Sequence, residues 1–328
     1  MEVRPAEGSE TGIRAGWFHP AEDPGQGFLE LLPAGEDPKL KALSQVAADG
    51  TVVSHRPSKR AVVRRGTDCS PGTCGDTQYV KVVRRGKAPG ILDGVRRAQA
   101  FDGPFRTPRI LDSDKSTVSF EALSGASLHE PGGFSAEEWE LAWAQVLEAW
   151  ETSIQHPGEP PEGTPVHDAD AEIAVLRRWA QQARPFIRGF ELLVEAVEAA
   201  AHRLEEIPAG RVVPAHRDLH DKQLLWSAEH GPALLDVDTA CLAPPALDLA
   251  NLRAHARWRH RQGVWDEQQA EVVMRAINDT AYRAGVSQDA LAAYEHSTLL
   301  RLSCVYAFRP RYAAEAESLR ASLLSPSV

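Results

Sequence analysis

The sequence predicts an α+β chain in two lobes, with antiparallel strands and one inserted helix in the first and mostly helix in the second. Three observations carry this. β-branched runs separated by turn residues recur between Thr51 and Leu123. From Ser135 onward apolar residues recur at helical spacing. The length of 328 residues suggests two domains at roughly 150 residues each. The boundary is expected near Leu123–Leu128, where ALSGASL breaks the strand pattern, giving lobes 1–123 and 124–328.

Hydrophobic residues make up 43% and charged residues 25%, which excludes disorder over the whole chain. No apolar run approaches the roughly 20 residues of a membrane span. The opening MEVRPAEGSETGIRAG lacks the apolar core of a secretory signal, so a cytoplasmic location is expected. The net charge of -10 disfavours nucleic acid and anionic membrane as partners, and suits a cationic small molecule. Cys69, Cys74, Cys241 and Cys304 form no CxxC pair and read as four reduced thiols, although Cys69 and Cys74 are close enough in DCSPGTC to bridge. The sequence does not indicate an oligomeric state.

GIRAGWFHP and GFLELL read as short strands. DPKLKALSQVAADG reads as a helix with Asp37 as N-cap, Pro38 at its first position and Gly50 beyond its end. Thr51–Ser54 and Ala61–Arg65 flank a turn at Pro57 and Ser58, a hairpin signal, and QYVKVVR is a third strand. GILDGVRRAQAF has helical spacing at Ile91, Val95, Ala98 and Phe101; PRILDSDKSTVSFEAL reads as two strands around DSDK. In the second lobe SAEE is a capping box, and Trp139, Trp143, Val146, Leu147 and Trp150 share one helical face, read as core. HPGEPPEGTP is a loop. DADAEIAVLRRWAQQA, FELLVEAVEAAAHRLEEI, Asp266–Ala284 and Gln288–Phe308 are helical. The acidic group Glu159, Glu162, Asp168, Asp170 and Glu172 reads as a solvated surface that could attract a cationic substrate.

The chemistry lies between 213 and 252. VPAHRDLHDKQ leads into LLW, a turn at Glu229–Pro232 and ALLDVD, a hairpin with carboxylates at both ends. Asp236 and Asp238, two apart, would share a face if both lie in strand. Asp218, Gln223, Asp236 and Asp238 offer only oxygen donors, which suits Mg²⁺ shared with substrate phosphates. One Asp could accept the proton of a substrate hydroxyl, and Lys81, expensive inside YVKVVR without an anion, could meet the other phosphates. Plainer roles exist for each residue. Asp218 and Asp236 could cap turns, and Lys81 could snorkel from an edge strand. His216 reads as a packed, hydrogen-bonded loop residue, while His220 could face substrate or solvent.

The combination of Lys81 in a strand followed by a helix, HRD with Gln223 five residues past Asp218, LLDVD and PALDLANL resembles the aminoglycoside phosphotransferase and choline kinase group of small-molecule kinases. Those usually read HGDxxxxN, then IDW or IDF, then GDPxxDLA. The resemblance implies a bilobal protein-kinase-like fold whose helical lobe carries the catalytic hairpin. It implies a phosphotransferase using Mg²⁺ and ATP or GTP held between the lobes, with an antibiotic, sugar or amino alcohol as hydroxylated acceptor. It assigns Asp218 as base, Gln223 and Asp236 as metal ligands with Asp238 beside them, and Asp248 and His216 as support for the loop. Lys81 becomes the nucleotide lysine, with Asp93 its only acidic candidate partner on the following helix. Phe120, Glu121, Ala122 and Leu123 become the hinge for the base, and the backbone N–H groups of Ser58 and Lys59 would approach phosphate. Gln replaces the usual Asn at 223, the usual helix Glu is missing, and the turn HRPSKR has no glycine. Those departures leave a nucleotide-binding pseudokinase as one alternative. A metallohydrolase with Zn²⁺ on His216, Asp218 and His220 is another.

Overall fold

The computed structural model describes residues 2–3, 13–20, 27–66 and 77–324; Cys69 and Cys74 lie outside them. The chain divides into two compact units, one of residues up to Arg96 with Thr107–Gly125, the other of Arg97–Arg106 with everything from Ala126. The second unit thus takes Arg97–Arg106 from within the segment expected to form the first lobe.

In the first unit β1 (Glu2–Val3), β2 (Arg14–Pro20) and β3 (Gly27–Leu31) form an antiparallel sheet. A helix follows, but α1 covers only Leu43–Ala48, with Ala42 at its N-cap and turns before it. Asp37 is therefore not the helix cap; its side chain is used elsewhere. Next come β4 (Thr51–Arg56), β5 (Arg60–Arg65), β6 (Gln78–Val83), α2 (Ala88–Ala98), β7 (Ile110–Ser113) and β8 (Thr117–Glu121). Among the described residues their strands form a five-stranded sheet in the order β4-β5-β6-β8-β7. Alternation along β6 separates its two faces. Val80 and Val82 pack with Leu40, Leu43 and Val46 on the α1 side, whereas Val83 packs with Ala88 and Ile91 of α2.

In the second unit β9 (Ala126–Ser127) precedes α3 (Ala136–Gln155). Ser135 Oγ accepts from Glu138 N–H while the Glu138 carboxylate accepts from Ser135 N–H, the reciprocal cap expected of SAEE. The tryptophan stripe of α3 is core: Trp139 and Trp143 pack edge-on against Trp265, and Trp150 stacks on Phe101. Then follow α4 (Ala169–Ala183), α5 (Phe190–Glu205), β10 (Val213–Ala215), β11 (Leu224–Ser227), β12 (Gly231–Leu234) and β13 (Cys241–Ala243). Helices α6 (Ala246–Arg261), α7 (Glu267–Arg283), α8 (Gln288–Val305) and α9 (Ala313–Leu324) complete it. β11 pairs with β12 as the expected hairpin, and β10 with β13. The 216–223 loop leaves β10, and the residues before β13 return beside it. No described helix is long and apolar enough to cross a membrane. Cys241 and Cys304 are buried, and burial pushes their thiols up to about 12 and about 11, which keeps them protonated.

Candidate active site

His216 is the fixed point of the 216–223 loop. It is fully buried and engaged on four sides. Its N–H donates to Asp248 (2.7 Å), its carbonyl accepts from Thr239 Oγ1 (2.9 Å), Nε2 donates to the Leu235 carbonyl (2.8 Å), and Nδ1 accepts from Asp218 N–H (3.3 Å). With both ring nitrogens committed and no solvent access, His216 cannot also ligate zinc, so the metallohydrolase reading fails on geometry. Among the described residues no three His, Cys, Asp or Glu side chains converge as a metal cluster.

Arg217 holds φ +71, a left-handed conformation that costs a side chain roughly 1–2 kcal/mol. This is the position where related motifs usually carry Gly. The Arg217 N–H donates to the second Asp248 oxygen at 2.9 Å, which pins the strained residue. Asp218 follows, half-buried, with its backbone locked to the His216 ring.

Helix α6 supplies the grip through one polar stripe. Asp248, Asn251, His255 and Arg259 are spaced at i, i+3, i+7 and i+11, so they lie on one face, and all four are buried. Asp248 takes the two N–H groups just described. Asn251 Nδ2 donates to the Leu219 carbonyl (2.6 Å), and its oxygen accepts from Arg301 (2.5 Å). Arg301 reaches Glu172, which pairs with the His167 ring at 2.9 Å. Arg259 Nε bridges both oxygens of Asp221 at 2.9 and 2.8 Å; His129 Nδ1 lies 2.5 Å from the same carboxylate, and His255 packs on the His220 ring. Burial opposes ionisation of Asp221, but the Arg259 guanidinium outweighs it and holds the carboxyl well below its usual range. Asp248 has only neutral backbone donors, and burial pushes its carboxyl up to about 6. Glu172 and Asp168, expected on an acidic solvated surface, have structural work: Glu172 is buried, and Asp168 caps α4.

The expected metal residues divide. Asp236 is not in strand: β12 ends at Leu234, Asp236 holds φ +53, and Asp238 sits in the following 3₁₀ turn at 237–239. The shared strand face expected for Asp236 and Asp238 therefore does not exist. Leu235 ties Asp236 to the loop, donating its N–H to the Gln223 carbonyl (2.8 Å) while its own carbonyl takes His216. Gln223 Nε2 lies 3.4 Å from His220 Nε2. His220 Nδ1 accepts from Lys222 N–H, and burial lowers the ring's pKa. By donor type, the Asp236 and Asp238 carboxylates and the Gln223 amide oxygen suit a hard divalent cation that completes its shell with phosphate oxygens.

In the first unit Lys81 is buried at 7% exposure in β6, a central strand paired on both sides, so it is not an edge-strand lysine reaching for solvent. It shares the α2 face with Val83 and stands 5.8 Å from the Phe120 ring centroid. Asp93 does not serve it: its carboxylate accepts from Arg96 (2.5 Å) on the exposed side of α2. The Ser58 and Lys59 N–H groups are not presented to a ligand, because Ser58 donates to Asp37 (2.6 Å) and Lys59 to the Arg56 carbonyl (3.0 Å). Phe120 and Glu121 end β8. The Glu121 and Ala122 N–H groups donate to the Arg109 and Thr77 carbonyls, so of the expected hinge these two are engaged within the unit; Leu123 follows them.

Asp37, Asp221, Asn251 and Arg259 escaped the sequence reading. The spacing of Asp248, Asn251, His255 and Arg259 was a usable signal; nothing local distinguished Asp37 from a helix cap.

A five-stranded antiparallel sheet with a central lysine and a helix after it, and a helical unit carrying the HRD loop and a hairpin followed by Asp236, define a protein-kinase-like fold. The model of the phosphotransferase enzyme family (APH) matches residues 79–287, well over half of the chain, and the chain belongs to that family. Solved structures agree on the fold. Aminoglycoside phosphotransferase APH(3'')-Id from Streptomyces rimosus is 19% identical over 80% of this chain and 96% of its own, with a TM-score of 0.56. A thermostable mutant of aminoglycoside phosphotransferase APH(4)-Ia, in ternary complex with ADP and hygromycin B, is 14% identical over 89% of this chain and 99% of its own, at TM-score 0.58. A choline/ethanolamine kinase family protein from Mesorhizobium loti is 15% identical over 88% and 93%, at TM-score 0.53. No curated protein sequence matches the chain.

Proposed function

We propose that this protein transfers the γ-phosphate of ATP or GTP to a hydroxyl group of a small molecule. The observation that carries the reading is the gripped 216–223 loop. Groups from α6, Leu235 and the 237–239 turn hold it in a strained conformation, and its half-buried Asp218 is left as the acceptor. Fixing a loop at that energetic cost makes sense where one carboxylate must stand in one place. Asp218 orients the acceptor hydroxyl and takes its proton as the bond to phosphorus forms. Asp236 and the Gln223 oxygen are the ligands proposed for Mg²⁺, with Asp238 a candidate beside them. When bound, the ion neutralises charge on the phosphates. Lys81 meets the non-transferred phosphates, and the 120–123 segment the base. Asp248 and His216 position Asp218 without touching substrate.

The acceptor proposed is a cationic, hydroxyl-bearing compound: an aminoglycoside-like antibiotic, an amino sugar or an amino alcohol. The net charge of -10 supports this, as do neighbours in complex with ADP and streptomycin or with ADP and hygromycin B. Such a reaction belongs in the cytoplasm, where nucleoside triphosphates are available.

The test is a screen of aminoglycosides, amino sugars and amino alcohols for ADP or GDP release with Mg²⁺, followed by Asp218→Ala on whichever compound responds. Asp218→Ala should reduce transfer at least a thousandfold while leaving nucleotide affinity within about threefold. Turnover at the wild-type rate would remove Asp218 as base. Nucleotide binding without transfer to any compound would favour the pseudokinase reading that Gln223 and the missing helix Glu allow.

A further inference from the structure

The turn between β4 and β5 is clamped from behind. The Asp37 side chain is fully buried, and its Oδ2 accepts from Ser58 N–H (2.6 Å) and lies 3.0 Å from Nε2 of buried His55. Its Oδ1 accepts from Lys39 N–H at 2.8 Å. Burial opposes its ionisation, but these donors together keep its pKa below the ordinary value. The clamped Ser58 holds φ +60, a conformation that glycine adopts freely and serine does not. The next N–H, of Lys59, closes the turn onto Arg56. Two consecutive donors are thus committed inside the first unit.

A glycine-rich phosphate turn works the other way, with a flexible backbone that can come close to the nucleotide. Resting on the reading that this turn covers a bound triphosphate, we propose that Asp37 is a positioning residue for the nucleotide. Through Ser58 and His55 it holds the glycine-free turn in one left-handed conformation. The turn then meets phosphate with the Ser58 hydroxyl and the exposed Lys59 ammonium, not with backbone N–H groups.

The full chain is compared with Asp37→Asn, His55→Leu and Lys59→Ala. Amide hydrogen exchange is followed over residues 55–60. Calorimetric affinities are taken for Mg·AMP-PNP and Mg·GMP-PNP, and for adenosine and guanosine. Asp37→Asn should speed exchange at Ser58 at least tenfold and weaken triphosphate binding fivefold or more, with nucleoside affinity within twofold. His55→Leu, which keeps the Asp37–Ser58 bond, should move both in the same direction by less, and decides the matter if Asp37→Asn does not fold. Lys59→Ala should weaken the triphosphate alone, with exchange unchanged. Unchanged exchange in both clamp variants would overturn the clamp. A loosened turn with unaltered triphosphate affinity, or equal weakening for nucleoside and triphosphate, would overturn the positioning role. Wild-type protein that binds neither triphosphate nor nucleoside would overturn the nucleotide reading itself, and the exchange data would still decide the clamp.

Discussion

Each unit contains a loop in which a side-chain-bearing residue is forced into the left-handed region, Ser58 in the first and Arg217 in the second, and in each a buried aspartate holds that residue's N–H. The grips differ in chemistry. Asp37 has two backbone donors and an imidazole, and its carboxyl lies below the ordinary value. Asp248 has two backbone donors and no cation in hydrogen-bonding contact, and burial takes its carboxyl up to about 6. Asp221, on the same loop as Arg217, marks the far end of the scale, because a guanidinium spans both its oxygens. Asp248 and Asp221 are buried alike, so between these two the partner decides which carboxylate ionises: two N–H dipoles offset only part of the desolvation cost, and a full charge offsets more than all of it.

The largest test of that scale removes the charge. Arg259→Leu leaves Asp221 buried against His129 and His255 without its guanidinium, and should cost about 3–5 kcal/mol in denaturant unfolding. A loss below 1 kcal/mol would mean that the histidines suffice and that the ranking by partner charge is wrong.

The second test is pH. Asp248 keeps its proton in the folded chain up to about 6, whereas the unfolded chain loses it near 4. The folded state therefore binds more protons between those values, and this residue's contribution is most favourable below about 4 and declines by roughly 3 kcal/mol as pH rises through 6. Asp37 runs in the opposite sense: its contribution is present above the ordinary carboxylate range and is lost on acidification through its lowered value. Unfolding curves of wild type, Asp248→Asn and Asp37→Asn across pH 3–7 should show the two differences from wild type sloping in opposite directions. Parallel slopes would abolish the contrast between the loops.

The smallest effect separates strain from grip. Ser58→Gly and Arg217→Gly each relieve a left-handed side chain, and each should stabilise by about 1 kcal/mol or less, the unfolded chain's added freedom taking back part of the gain. A loss of stability at either site would show that the side chain itself holds the loop.

Much of this protein was legible before folding. The paired strands, the reciprocal cap at Ser135 and the tryptophan stripe of α3 follow from periodicity and local hydrogen-bonding rules, and HRD with LLDVD pointed to the loop and hairpin proposed as the site. The errors share one cause. Asp37 looked like a helix cap because a cap and a distant hydrogen-bond acceptor use the same residue type. Asp236 and Asp238 looked like neighbours on a strand because a left-handed turn at a non-glycine residue leaves no mark in sequence. Glu172 looked solvated because charged residues usually are.

Alone, then, the order of residues determined where apolar surface must be hidden, since that depends on spacing along one helix or strand. Only the tertiary structure decided which polar stripe is also hidden. Asp248, Asn251, His255 and Arg259 have the spacing of a wet helical face, and they are buried because their hydrogen-bonding partners, the N–H and C=O groups and carboxylate of the 216–223 loop, are brought to them from some thirty residues away. A polar side chain's preference for water or protein is set by whether a partner is delivered, and that delivery belongs to the fold.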